Sequence, residues 1–165
     1  MRTNRPDLGA DYLVAFLNTL DVEEQTDALD DASGFAAWAR EHGVEAGEPA
    51  EARRVRDALR QVVDGEQAEL PDVRLATACD EGTVELSART AAEAAVASSV
   101  VLSIQGKLAR VKLCGGDDCR WAFYDSSRNG SRQWCSMEVC GNRQKARTYR
   151  SRREEHAGTA SAAEV

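Results

Sequence analysis

At 165 residues, with 42% apolar and 30% charged side chains, the chain suits one ordinary domain, or a modest domain with a small module, and is polar enough to be soluble. It has no run of about 18 apolar residues, which excludes a membrane-spanning helix. The net charge of −7 argues against nucleic acid as a partner of the chain as a whole, but residues 1–106 carry 9 Lys+Arg against 21 Asp+Glu and residues 107–153 carry 12 against 4.

In chain order, Met1 to Leu8 is polar, with Arg2, Arg5 and Asp7 and no apolar signal region. A cytoplasmic location is therefore expected, where thiols stay reduced. Leu8, Tyr12, Phe16 and Leu20 recur every fourth residue, the apolar stripe of an amphipathic helix. Ser33 is expected to cap a second helix carrying Phe35 and Trp38, which Gly43 ends. A third helix spans about Glu51 to Asp64, with Val55, Leu59 and Val62 facing the core. After Pro71, apolar residues on either side of Asp80-Glu81-Gly82 predict a short hairpin. Thr90-Ala91-Ala92-Glu93 is a capping-box sequence that opens an Ala-rich helix toward Gly106. The stretch from His156, rich in Ala, Gly and Ser, predicts disorder.

No catalytic constellation appears in this first part, and no enzyme is expected. His42 sits near a helix end, where contact with the helix dipole is the simple explanation. Cys79 stands alone in an apolar stretch and is expected to be a buried, inert thiol. Arg53, Arg54, Arg56 and Arg60 read as a solvated helix face.

Residues 114–140 carry the chemistry. Four residues separate Cys114 from Cys119, four separate Cys135 from Cys140, and fifteen lie between the pairs. Two short loops, each presenting two thiolates, suit a tetrahedral metal site with sulfurs about 2.3 Å from one structural Zn2+. An iron–sulfur cluster and two disulfides are the alternatives that four cysteines admit. Trp121-Ala122-Phe123-Tyr124 alternates like a strand, Asn129-Gly130 marks a turn, and Arg132-Gln133-Trp134 is expected to return as the second strand. Ser136 caps a helix that starts near Met137, and Arg143, Arg147 and Arg150 then line one face of it.

Cys140-Gly141-Asn142-Arg143, with Phe123–Asn129 and Arg132–Met137, resembles the CGNR zinc finger. The preceding part, with Phe16-Leu17-Asn18-Thr19-Leu20, resembles the ABATE-type domain found before this finger. That resemblance implies a stress-related transcription regulator of actinobacterial type.

The expected architecture is α+β: a mostly helical domain with a small hairpin over residues 1–106, a zinc-bound hairpin with a basic helix over 107–153, and a disordered tail over 154–165. The expected function is double-stranded DNA binding that regulates transcription. Cys114, Cys119, Cys135 and Cys140 hold the zinc. Asn142 and Arg143 approach base edges or backbone, and Arg128, Arg132, Arg147, Arg150, Arg152 and Arg153 complete the DNA contacts. A homodimer and a small-molecule effector on the first domain fit the scheme. The rival reading is a module whose finger binds an acidic protein.

Overall fold

The computed structural model describes residues 7–80 and 82–162, with five α-helices and three two-stranded antiparallel sheets among them. The architecture is α+β. Helix α1 (Ala10–Leu17) buries Leu13, Phe16 and Leu17 completely. The predicted stripe is therefore the core face, although Leu20 already belongs to the two-residue strand β1 (Leu20–Asp21), paired with β2 (Thr26–Asp27). Helix α2 (Ala32–Glu41) is capped by Asp31, whose carboxylate accepts from the Ser33 and Gly34 N–H groups, and not by Ser33 as expected. A carboxylate at the N-cap also favours the helix dipole, so Asp31 wins over the hydroxyl.

Helix α3 (Pro49–Val63) begins with proline at its first turn, where no N–H is needed. Its arginines correct the sequence reading. Arg54 is exposed, but Arg56 and Arg60 are buried. Arg56 is paired to Asp27 at 2.6 Å and Asp57 at 3.0 Å, and Arg53 is paired to Asp27 and Asp30. Charge runs read as solvated because burial of a guanidinium needs partners far away in the chain, and α3 finds them in β2.

Strands β3 (Ala76–Asp80) and β4 (Thr83–Ser87) form the predicted hairpin, closing with Asp80 opposite Thr83; Glu81 lies outside the described residues. Cys79 is exposed on β3, not buried as expected, because only one end of this ribbon is packed on the helices. Helix α4 (Ala91–Ile104) carries the predicted capping box: Thr90 Oγ1 accepts from Glu93 N–H at 3.3 Å, and the Glu93 carboxylate accepts from the Thr90 N–H. Ala91, Ala94, Ala95 and Ala97 are fully buried. Small side chains let α1 and α3 pack closely on this central helix.

After a 3-10 turn at Leu108–Arg110, β5 (Val111–Leu113) pairs with β6 (Ala122–Tyr124). The predicted β6 strand exists, but its partner is β5 and not Arg132–Trp134, which has no strand structure. Val111 and Ala122 lie in the same hydrophobic core as α1, α3 and α4, which is what selects β5. The Asn18 side chain fastens this junction: its amide donates to the Ala122 carbonyl at 2.9 Å, and its oxygen accepts from the Ala122 N–H at 2.7 Å. Asn18→Ala leaves both backbone groups without their partner and should cost about 2–3 kcal/mol in urea denaturation. A loss below about 0.5 kcal/mol would show that water replaces the amide there.

A wide π turn at Met137–Gly141 leads into helix α5 (Asn142–Ala162). The helix continues through much of the stretch expected to be a disordered tail. No proline interrupts the sequence there, and a lone Gly158 costs a helix only about 1 kcal/mol. Residues 163–165 of that expected tail lie outside the described residues. No helix among the described residues is long and apolar enough to cross a membrane.

Candidate metal centre and basic helix

The first cysteine pair sits where β5 ends and β6 is about to begin. Cys114 N–H donates to the Trp121 carbonyl at 2.8 Å, closing the hairpin, and a tight turn returns the chain so that Cys119 N–H donates to Gly116 O at 3.0 Å. Arg120 then adopts a left-handed conformation (φ 51°), rare outside glycine. Two contacts hold it: Arg60 donates to its carbonyl at 2.8 Å, and its guanidinium pairs with Asp64. The same Arg60 donates to the Leu17 carbonyl, so one buried arginine ties α1 to the metal loop.

The second pair comes from the loop before α5. Ser136 Oγ accepts from the Val139 N–H at 3.3 Å, the predicted cap, and the π turn then presents Cys140. All four sulfurs lie within 4.8 Å of one another. The Cys119–Cys135 and Cys135–Cys140 separations are 3.7 and 3.6 Å. A tetrahedron with sulfur ligands about 2.3 Å from zinc has edges of roughly 3.8 Å, so the donor set fits that ion. Cys114, Cys119 and Cys140 are buried, with Trp134 packed against them.

Two close approaches explain glycines beside the cluster. A Cβ at Gly115 would stand 3.2 Å from the Trp134 ring and 3.3 Å from the Gln133 carbonyl, and one at Gly141 would stand 3.2 Å from Met137. Burial pushes the Cys119 thiol up to about 11 and raises Cys135 as well. Burial opposes ionisation of Cys114, but hydrogen bonds from the Cys135 and Gly116 N–H groups and from the Cys135 and Cys140 thiols together lower that thiol. Four neighbouring thiolates in one buried site require a cation to hold them.

Asp125 is a residue the sequence reading missed. Its fully buried carboxylate accepts from Lys112 Nζ at 2.8 Å, from the Ser127 N–H at 3.0 Å and from the Arg132 N–H at 2.9 Å. The Lys112 ammonium holds it far below the usual carboxylate range. It shapes the loop that carries Cys135 back to the first pair. The Asp-Ser-Ser sequence is the available signal, since an Asp accepting from the N–H two residues on makes an Asx turn.

The structure scatters the expected DNA-contact residues. Arg128 is exposed. Arg132 is spent on the loop, donating to the Trp134 and Cys135 carbonyls, with its guanidinium 5.0 Å from the Phe123 ring centre. Asn142 donates to the Glu138 carbonyl at 3.0 Å, joining the π turn to α5. Arg143 pairs with Glu23 at 2.9 Å, and Arg147 pairs with Asp118. Arg150 donates to the Ala146 carbonyl, and Arg153 lies over the Tyr149 ring. Arg152 is exposed. His42 stacks on Trp38 at 4.1 Å and bonds its carbonyl at the end of α2, a structural role in agreement with the sequence reading.

Residues 10–113 match the family model ABATE, described as "Putative stress-induced transcription regulator". The chain belongs to the ABATE family. Residues 110–153 match the CGNR zinc finger. No curated protein sequence matches the chain. In this ABATE chain the two matches overlap at residues 110–113, on β5, the strand by which the finger enters the core. The finger match and the four-cysteine cluster together support one structural zinc ion, making this ABATE member a zinc-binding regulator.

Proposed function

We propose that the chain binds double-stranded DNA through α5, which the zinc ion held by Cys114, Cys119, Cys135 and Cys140 fixes at its start. A closed four-thiolate site leaves no position for substrate or water, so the metal's role is structural and the reading assigns no catalysis. One observation carries it: residues 142–153, which leave the last cysteine directly, hold six Lys and Arg and no acidic residue. Guanidinium and ammonium groups on a rigid helix suit phosphate contacts. The overall charge of −7 does not decide the matter, since screening at physiological salt limits each interaction to about 8 Å.

The test is binding of the intact, zinc-loaded chain to a generic duplex at rising salt. The intact chain is the reagent because β5 and β6 belong to the first domain's core. With about four phosphates neutralised, affinity should fall on the order of 100-fold between 50 and 200 mM salt. Binding that is absent at 50 mM salt, or indifferent to salt, overturns the reading.

The second reading, a finger that binds an acidic protein, draws support from the Arg143–Glu23 and Arg147–Asp118 pairs, in which the finger's arginines already hold carboxylates. Retention of an acidic protein in preference to duplex DNA would favour it. A small-molecule effector has an open cavity of about 950 Å3 available, with Val84, Leu86, Val101 and Ile104 as apolar lining and Arg40 and Arg89 among its polar groups.

A further inference from the structure

Helix α5 has two cationic faces that meet different surroundings. At about 100° per residue, Arg143, Arg147 and Arg150 project to one side, and Lys145, Thr148, Tyr149 and Arg152 to the other. The first face is turned toward the chain's own carboxylates, where Glu23 takes Arg143 and Asp118 takes Arg147. The second lines an open groove of about 380 Å3, with Trp134 as the other wall and Gly141 between them. Among the described residues no carboxylate pairs with Lys145 or Arg152. Tyr149 leaves 63% of its surface in solvent, with the Arg153 guanidinium 5.9 Å from its ring centre.

We propose that this groove seats one sugar–phosphate strand of duplex DNA. The proposal rests on the DNA-binding reading and names the face that makes contact. Two cations with no carboxylate partner among the described residues call for an anion. They stand seven residues apart, roughly 10 Å along the helix, which exceeds one phosphate and matches about three nucleotide rises of 3.4 Å. The aromatic rings suit deoxyribose and base edges lying between successive phosphates, an arrangement that a simple run of carboxylates would not use. The groove is also tied to the metal. Trp134 precedes Cys135 and Gly141 follows Cys140, so one wall and the floor between the walls are each one residue from a cysteine of the cluster. On the other face, by contrast, Arg143 and Arg147 already hold Glu23 and Asp118.

The experiment measures fluorescence anisotropy of a labelled 20-base-pair duplex with the full-length, zinc-loaded protein at several salt concentrations. Lys145→Gln/Arg152→Gln should weaken binding at least tenfold and flatten the salt dependence by about two units of slope. Tyr149→Ala should weaken it several-fold, and Arg143→Gln/Arg147→Gln by less than threefold. All these side chains lie on the surface, so zinc content and circular dichroism should not change. A tenfold loss confined to Arg143→Gln/Arg147→Gln overturns the groove while the DNA-binding reading stands. Equal losses in both double variants, or no loss in either, also overturn it. Wild-type protein that ignores duplex but captures polyglutamate, and loses that capture in Lys145→Gln/Arg152→Gln, assigns the groove to an acidic polypeptide and overturns both. Wild-type protein that binds neither at 50 mM salt overturns both as well.

Discussion

Removing zinc with a strong chelator will destabilise the first domain as well as the finger. Structural zinc in small finger peptides contributes an apparent 10–16 kcal/mol, because the unfolded chain has no preformed site. In this protein the loss cannot remain local. Without the ion, burial pushes Cys119 up to about 11 and raises Cys135, so those two sulfurs take up protons and no cation remains to draw the four together. The Cys114–Cys119 loop joins β5 to β6, and those strands place Val111 and Ala122 in the core against α1 and α3. Arg60 and Asn18 bond to backbone on the same loop and strand. We expect at least about 3 kcal/mol to reach the first domain, a drop of roughly 6–12 °C in its melting temperature. Calorimetry with and without chelator checks the temperature, and hydrogen exchange at α1 amides checks the spread. Cys114→Ser should behave like the chelated protein. A first domain that melts at the same temperature with and without zinc would show that the finger is an independent unit.

Asp27→Ala should cost about 3–5 kcal/mol at pH 7, although the residue is far from the metal. Its side chain is 8% exposed and accepts from Arg56 Nη1 at 2.6 Å, while Arg56 itself is 2% exposed. Truncating the carboxylate leaves a buried guanidinium with only the half-exposed Asp57 as counter-ion, and an uncompensated buried charge is expensive. It also frees the Leu29 N–H, now bonded to Asp27 at 2.9 Å. Burial alone would raise the Asp27 carboxyl, but the Arg56 hydrogen bond, the Leu29 N–H and the charges of Arg56 and Arg53 together hold it below its usual value. A depressed carboxylate contributes stability above its unfolded value of about 3.9, and that contribution is lost as pH falls through the folded value. The gap between wild type and Asp27→Ala should therefore be full at pH 7 and narrow below about pH 4. Urea titrations at pH 7 and in acid measure it. A constant gap would mean that lost packing, and not the ion pair, is responsible. Asp27→Leu/Arg56→Met should recover much of the loss, since it removes both charges together.

The metal cluster was legible from spacing alone, because short loops between cysteines oblige their sulfurs to approach one another whatever surrounds them. The same holds for the capping box at Thr90 and the buried stripe of α1, each set by neighbours within a turn or two of helix. What the sequence by itself could not determine depended on partners far along the chain. β6 alternates as a strand should, but only the shared core shows that Val111, and not Gln133, lies beside it. Arg56 and Arg60 look solvated until β2 and the Arg120 carbonyl are placed against them. The cationic face of α5 is the sharpest case. From the sequence, helical periodicity marks Arg143, Arg147 and Arg150 as the cationic stripe and leaves Lys145 unmarked. Tertiary structure shows that Arg143 in that stripe already holds a carboxylate, since Glu23 is 120 residues from it in sequence and 2.9 Å from it in space. Local periodicity says where a side chain points, and only the packed chain says what charge it meets there.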